Sequence, residues 1–441
     1  MNIPSDRIDA LFSAWDKLDS PGCVLAIIKG GEFVYKRGYG MADLERGVPI
    51  RAESIFDLGS TGKQFTAAVI AILALQGFLG LDDPIRKYLP EMPSYAEAIA
   101  IRHLIHHTSG LRDYLTLMEL SDRPAENIYP EDKLLDLITR QRELNFPPGE
   151  EYLYSNSGYF LLGMVAQRVT GKHLTELIRE HVYEPLSMKH STFNKDHRPI
   201  VPNRALSYSR REDGTIVNEI SLCGGFGDGA VCSSVEDLFL WDQNFYHNRL
   251  NHAQPDLLEL MRTTGMLRNG ETIPYAAGLF IEDYRGLQSV SHGGSWAGYR
   301  SELLRFPRQH FSVICLCNLS DMEPEELARR VADICLEDEI QGRPSPRQDE
   351  KPEPASESIS LPPGQLTRFT GTYVSQELDT EYILSLQADR LFLQRSQFAA
   401  PELLHPIASH IFKGREIELC FDENNLSVAS GRLKNIRFKR A

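Results

Sequence analysis

Ser60 and Lys63 stand three residues apart in Gly59-Ser60-Thr61-Gly62-Lys63-Gln64-Phe65. At helical spacing the two side chains face the same side. A serine hydroxyl is a weak nucleophile until a base takes its proton. An amine in apolar surroundings has its pKa lowered enough to serve as that base, or it holds a second base in its ionised form. Residues 65–75 contain Thr66 as their one polar member and the run stops at Gln76, which predicts a helix buried on all sides. It is too short for a membrane span, which needs about 20 apolar residues. A second group is Tyr154-Ser155-Asn156. A phenol beside an ammonium approaches the tyrosinate form, so Tyr154 can take the Ser60 proton and return it to a leaving group. The Asn156 amide can hydrogen-bond both the lysine and a substrate carbonyl. The third group is His292-Gly293-Gly294-Ser295, at the end of a predicted strand. Its glycines leave room for substrate to lie against the backbone. The N–H groups of Ser60 and Ser295 can then form an oxyanion hole.

Alone, each fragment has a plainer reading. Ser-x-x-Lys arises by chance in a chain this long, Tyr-x-Asn fits a tyrosine corner, and a single histidine is usually structural. Together and in this order they resemble the serine β-lactamase and penicillin-binding-protein superfamily. The Tyr-x-Asn element is similar to its class C β-lactamase, D-aminopeptidase and esterase branch. The flanks agree: Ile101-Arg-His-Leu-Ile-His-His-Thr-Ser-Gly-Leu111, Phe146-Pro-Pro-Gly149, Gly227-Asp-Gly-Ala-Val-Cys-Ser-Ser234 and Tyr275-Ala-Ala-Gly-Leu279. The resemblance spans residues 8–340. It implies Ser60 as the acylated nucleophile, Lys63 as its partner and Tyr154 as general base and acid. Asn156 becomes a positioning group, and His292, Gly294 and Ser295 the substrate side and oxyanion hole. Many relatives carry Lys-Thr-Gly at the third motif. Here His292-Gly293-Gly294 brings no hydroxyl and a mostly neutral side chain. That favours a D-aminopeptidase, amidase or esterase over the alternative of a β-lactamase or DD-peptidase. Arg300 is a candidate replacement contact for a substrate carboxylate, with a structural ion pair as the plainer reading. A non-catalytic sensor that binds a peptide or acyl ligand is the rival from another class.

The surrounding elements must hold these groups. Apolar spacing predicts a helix over residues 3–18, and β-rich runs 23–28 and 32–37 flank Gly30-Gly31, a hairpin signal. Residues 60–270 read as helical with long loops. β character returns at 278–283, 289–292, 299–306 and 311–318, followed by a helix at 324–338. The expected fold is α/β (α+β): one antiparallel sheet built from both ends of residues 1–340, flanked by helices, with the helical region inserted. Residues 341–360 are rich in Pro and Glu and read as a linker. Residues 361–441 read as short strands, a small antiparallel barrel that resembles the lipocalin-like C-terminal domains of some D-aminopeptidase relatives. Substrate specificity is expected in loops such as 113–127 and 242–273.

The 441 residues carry a formal charge of −14, so nucleic acid is not an expected partner. Seven scattered cysteines with no Cys-x-x-Cys pair argue against a disulfide framework or zinc ribbon and for a reducing, cytoplasmic setting. The polar N-terminus does not read as a secretory signal. A phosphate loop would need Gly at 57 and Ser or Thr at 64, where the chain has Asp57 and Gln64. Gly293-Gly294-Ser295-Trp296-Ala297 breaks a nucleophile elbow at its last position. His103, His106 and His107 read as packing residues rather than metal ligands. No metal or organic cofactor is implied. The expected partner is a small amide, peptide or ester, with self-association possible.

Overall fold

A computed structural model describes residues 3–123, 127–194, 198–221, 226–250, 256–342, 359–395, 400–422 and 425–441. Six strands form the first sheet: β1 (Cys23–Lys29), β2 (Glu32–Tyr39), β3 (Phe280–Tyr284), β4 (Leu287–Trp296), β5 (Tyr299–Phe306) and β6 (Phe311–Cys317), in the order β3-β4-β5-β6-β1-β2. Every pairing is antiparallel. The β1–β2 hairpin turns on Gly30 and Gly31, both at positive φ (61° and 84°), as a two-residue turn of the primed type requires. The two ends of residues 1–340 therefore build one sheet, as expected.

Alternation along the strands splits the core in two. Val24, Ala26, Ile28, Leu303, Ile314 and Leu316 face the inserted helical region. Cys23, Leu25, Ile27, Leu304, Phe306, Val313, Cys315 and Cys317 face the terminal helices α1 (Ser5–Phe12) and α5 (Pro324–Cys335). The first helix is shorter than the apolar spacing predicts. Past Phe12 the chain turns out of the helix: Trp15 still packs against the core from the turn, while Leu18 is 86 % exposed. The inserted region carries α2 (Lys63–Leu75), α3 (Asn156–Thr170) and α4 (Val235–Asn244). All of α2 up to Leu73 is buried, as its composition predicts. It packs through Phe65 on Trp241 of α4, with ring centroids 4.7 Å apart. No helix among the described residues is long and apolar enough to cross a membrane.

The C-terminal residues form a nine-stranded antiparallel sheet: β7 (Gly371–Ser375), β8 (Thr380–Gln387), β9 (Arg390–Gln394), β10 (Glu402–Leu403), β11 (His405–Ala408), β12 (Ile411–Lys413), β13 (Glu418–Asp422), β14 (Asn425–Ser430) and β15 (Leu433–Arg440). The order is β10-β9-β8-β7-β15-β14-β13-β12-β11. Its edge strands β10 and β11 are neighbours in the chain, so the sheet curls into a nearly closed barrel. Its core of Tyr373, Tyr382, Phe412, Leu419, Val428, Ile436 and Phe438 is continuous with that of the helical region. Most of the expected linker, residues 343–358, lies outside the described residues.

Polar contacts fasten the barrel to the helical region. Arg112 donates from Nη1 to Glu377 Oε1 at 2.6 Å, with both side chains almost fully buried. Its Nη2 donates to the carbonyls of Lys434 and Asn435. Glu377 also accepts the backbone N–H groups of Arg142 and Arg437, and Tyr382 donates to the Leu120 carbonyl at 2.8 Å. A buried ion pair adds little net stability, but removing one partner strands the other charge in a low dielectric. Glu377→Ala is therefore expected to lower unfolding stability by about 3–5 kcal/mol in urea titrations. A loss below about 1 kcal/mol would show that Arg112 is not held as described.

Candidate active site

Ser60 sits in a 3₁₀ turn, Gly59–Gly62, that runs directly into α2. The expectation of both residues on an α-helix is thus corrected by one turn. The contact survives because residues three apart eclipse in a 3₁₀ helix. Lys63 Nζ donates to Ser60 Oγ at 3.0 Å, to Asn156 Oδ1 at 2.8 Å and to the Asp228 carbonyl at 2.6 Å. Lys63 is fully buried, and burial brings its pKa down to about 8. The carboxylates of Asp228 and Asp113 pull upward and the Arg432 cation pulls downward.

Asn156 begins α3, and its backbone N–H donates to Asp113 Oδ2 at 2.6 Å. The preceding segment is held by His107. The His107 carbonyl accepts the Leu153 N–H, its Nδ1 accepts the Ser155 N–H, and its ring lies 4.2 Å from the Tyr154 ring. Tyr154 stands 5.0 Å (ring centroid) from Lys63 Nζ, so the two meet as the sequence implied. Its protonation differs from the expectation. Burial raises the phenol pKa well above its usual value, while the Ser60 hydroxyl and the Arg432 guanidinium draw it back only partly. Its hydroxyl faces Ser60 and has no other hydrogen-bond partner among the described residues. At neutral pH the phenol keeps its proton, and Lys63 is the group nearer to releasing one.

The third motif lies on β4. Pairing with β3 ends at Phe280 opposite Ser291, so residues 292–296 keep one edge unpaired beside the Ser60 turn. His292 is buried and uncharged. Desolvation, with Lys63 nearby, pushes its pKa down to about 3. Its Nε2 meets Tyr275 Oη at 3.0 Å and its Nδ1 meets the Gly293 carbonyl at 2.6 Å. Thr61 Oγ1 donates to the His292 carbonyl at 3.0 Å, tying the strand to the turn. The glycines also meet a packing need that the sequence did not show. A Cβ on Gly294 would lie 1.8 Å from the Leu58 carbonyl, and one on Gly59, at φ +51°, would lie 2.6 Å from Ser295 N. They let the strand and the turn pack backbone to backbone, which sets Ser295 N against the turn that carries Ser60.

Ser60, Tyr154, His292, Gly294, Ser295 and Arg300 line one open cavity of about 780 Å³. Its other walls are Tyr152, Phe280, the 320–325 segment and Arg432 of the barrel. No described residue of loops 113–127 or 242–273 is in this lining; residues 124–126 and 251–255 of those loops lie outside the described residues. Asp228, Asp113 and Arg432 were not singled out from the sequence, and His107 was read only as a packing residue. Asp228 falls inside a family-like flank, but Lys63 uses its carbonyl, which any residue carries. Arg300 Nη1 donates to the Ala297 and Tyr299 carbonyls at 2.7 Å each, locking the β4–β5 turn. His103 and His106 are part-buried, each with Nδ1 at a backbone group.

A family profile described as Beta-lactamase matches residues 8–336. The chain belongs to the beta-lactamase family. It is 28 % identical to penicillin-binding protein 4* of Bacillus subtilis (strain 168) over 391 residues, 85 % of this chain and 83 % of that protein. It is 28 % identical to the D-aminopeptidase of Brucella suis biovar 1 (strain 1330) over 298 residues, 68 % of this chain. The match covers 56 % of that enzyme's length. Among solved structures, the octameric penicillin-binding protein homologue from Pyrococcus abyssi superposes with a TM-score of 0.68 at 23 % identity, covering 99 % of this chain and 100 % of that one. D-amino acid amidase from Ochrobactrum anthropi SV3, complexed with D-phenylalanine, gives 0.64 at 21 % identity over 76 % of this chain and 99 % of its own. These two likenesses show the fold. Family membership and the aligned relatives make the chain an enzyme of the serine-hydrolase type.

Behind the open edge, Glu302 of β5 pairs with Gly293 and is buried. Burial raises its carboxyl to about 8, Glu325 adds to the rise, and Arg329 opposes it. The folded chain therefore holds a proton that the unfolded chain releases above 4.5, and stability is lost as pH rises from 4.5 to about 8. Glu302→Gln mimics the protonated form. Its melting temperature is expected to exceed wild type at pH 9 and to match it near pH 4. Equal melting temperatures at both pH values would contradict a neutral buried carboxyl.

Proposed function

We propose that the chain hydrolyses amide or ester bonds through an acyl-enzyme on Ser60, in the manner of a D-aminopeptidase, amidase or esterase. The observation that carries this is Ser60 Oγ, 3.0 Å from a buried lysine amine with a pKa near 8, on the wall of an open cavity. At pH 7 roughly a tenth of such an amine is unprotonated. Ser60 attacks the acyl carbon as Lys63 takes its proton, and the oxyanion turns to the Ser60 and Ser295 amides. Tyr154, still protonated, donates to the leaving amine or alkoxide and regains a proton through Lys63. Water then attacks the ester to Ser60 by the reverse path. Asn156 holds the lysine in line, and His292 offers the substrate an uncharged surface.

The relatives named D-aminopeptidase and D-amino acid amidase support this reading. So does the uncharged third motif. The penicillin-binding homologues are what the β-lactamase or DD-peptidase alternative rests on. We further infer a hydrolase unit at 1–340, a linker at 341–360 and a lipocalin-like barrel at 361–441. The octameric homologue supports self-association. The free, mostly buried cysteines support a cytoplasmic setting.

A panel of p-nitrophenyl esters, D- and L-aminoacyl p-nitroanilides and a chromogenic cephalosporin tests the proposal. Turnover of an ester or a D-aminoacyl anilide is expected to exceed that of the cephalosporin and to fall at least roughly a thousandfold in Ser60→Ala. Turnover indifferent to Ser60→Ala would refute the mechanism, and the cephalosporin as best substrate would favour the alternative.

A further inference from the structure

The barrel places a charge in the hydrolase cavity. Strands β14 and β15 are joined by a two-residue turn, Gly431-Arg432, between the paired residues Ser430 and Leu433. Gly431 takes φ +46°, as a tight hairpin turn needs. Asn145 clamps the turn from the catalytic half: its Nδ2 donates to the Arg432 carbonyl at 2.9 Å and its Oδ1 accepts the Lys434 N–H at 2.8 Å. Arg112 holds the carbonyls of Lys434 and Asn435, so the hairpin is fixed just beyond its tip as well.

The Arg432 side chain leaves this clamp over the active site. Its guanidinium lies 4.6 Å from the centroid of the Tyr154 ring and lines the same cavity as Ser60. Its nearest carboxylate oxygen, Asp113 Oδ2, is 3.7 Å away and already accepts the Asn156 N–H at 2.6 Å. The side chain is 42 % exposed, and its guanidinium donates no hydrogen bond at normal length among the described residues. Arg300, the other arginine of the lining, is spent on two backbone carbonyls. Lys63 is enclosed by its three acceptors. His292 is buried and carries no charge.

We propose that Arg432 receives a carboxylate carried on the leaving-group side of the substrate, so that an anion-recognition element of this hydrolase comes from the barrel. The side follows from Tyr154. The phenol that faces the departing atom is the ring on which the guanidinium rests, so an anion bound by Arg432 lies beyond the scissile bond on the departing portion. A guanidinium with its fork open to solvent suits two-point contact with a carboxylate. The substrate class is then an acyl compound whose leaving amine or alcohol bears a free carboxylate, such as a short peptide with an unblocked C-terminus. This inference rests on the acyl-enzyme reading of Ser60 and Tyr154.

The test compares two esters that differ in one charge: 4-carboxyphenyl acetate and its methyl-ester analogue, 4-(methoxycarbonyl)phenyl acetate. Wild type is expected to favour the carboxylate by roughly tenfold or more in kcat/KM, the scale of one charge-assisted hydrogen bond. Arg432→Gln should bring the ratio near one, and Arg432→Lys should restore part of it. The ratio cancels any shared effect of the substitution on Tyr154 or on folding. An absent preference in wild type, or one that persists in Arg432→Gln while Ser60→Ala abolishes turnover of both esters, overturns the inference and leaves the acyl-enzyme reading standing. Turnover of both esters that survives Ser60→Ala removes that reading and this inference together.

Discussion

A single buried ammonium governs the catalytic half of this molecule. Lys63 is fully enclosed, and an ion removed from water is tolerated only when its donors are met and counter-charge is near. Three acceptors meet it: Ser60 Oγ from the turn before α2, Asn156 Oδ1 from the first residue of α3, and the Asp228 carbonyl from the loop before α4. Three distant parts of the chain must therefore converge on one nitrogen. The antiparallel sheet provides the floor for that convergence, and the apolar α2 lets the amine be desolvated. Desolvation lowers the lysine and raises the tyrosine, so the proton that leaves Ser60 has one ready acceptor.

The chemistry-bearing residues were legible because nucleophile, amine, phenol and amide are needed as particular side chains. The six-stranded sheet was legible because its strands alternate and its hairpin carries Gly30-Gly31. What stayed hidden depends on contacts that composition does not encode. The ionisation of Tyr154 is decided by burial, which overrides the neighbouring ammonium that the sequence suggested. The need for glycine at 294 is set by the Leu58 carbonyl from another segment. The helix expected to reach residue 18 ends at Phe12, and Trp15 reaches the core from a turn, which apolar spacing does not distinguish from a helix. That the 320–325 segment and a hairpin tip of the barrel line the cavity depends on how distant segments meet, and no local pattern marks it.

The barrel is joined to the site rather than merely appended to it. Arg112 and Asp113 are consecutive. The first is paired to Glu377 and to the carbonyls of the β14–β15 hairpin, while the second accepts the N–H of Asn156 and faces Arg432. One dipeptide thus links barrel seating to the group that holds Lys63. The same hairpin stacks a guanidinium on Tyr154, and its field acts on both catalytic candidates in one direction, favouring loss of a proton from each. The acidic composition of the chain gave no hint of this, because the effect belongs to a single residue and its position.

The central claim is that a desolvated Lys63 amine activates Ser60. The most direct measurement is the rate of covalent labelling by a fluorophosphonate, followed by intact mass and peptide mapping across pH. The account predicts one adduct, located on Ser60, forming faster as pH rises through about 8 and levelling off beyond about 9. An adduct on any other residue, or a labelling rate unchanged across that window, would contradict it.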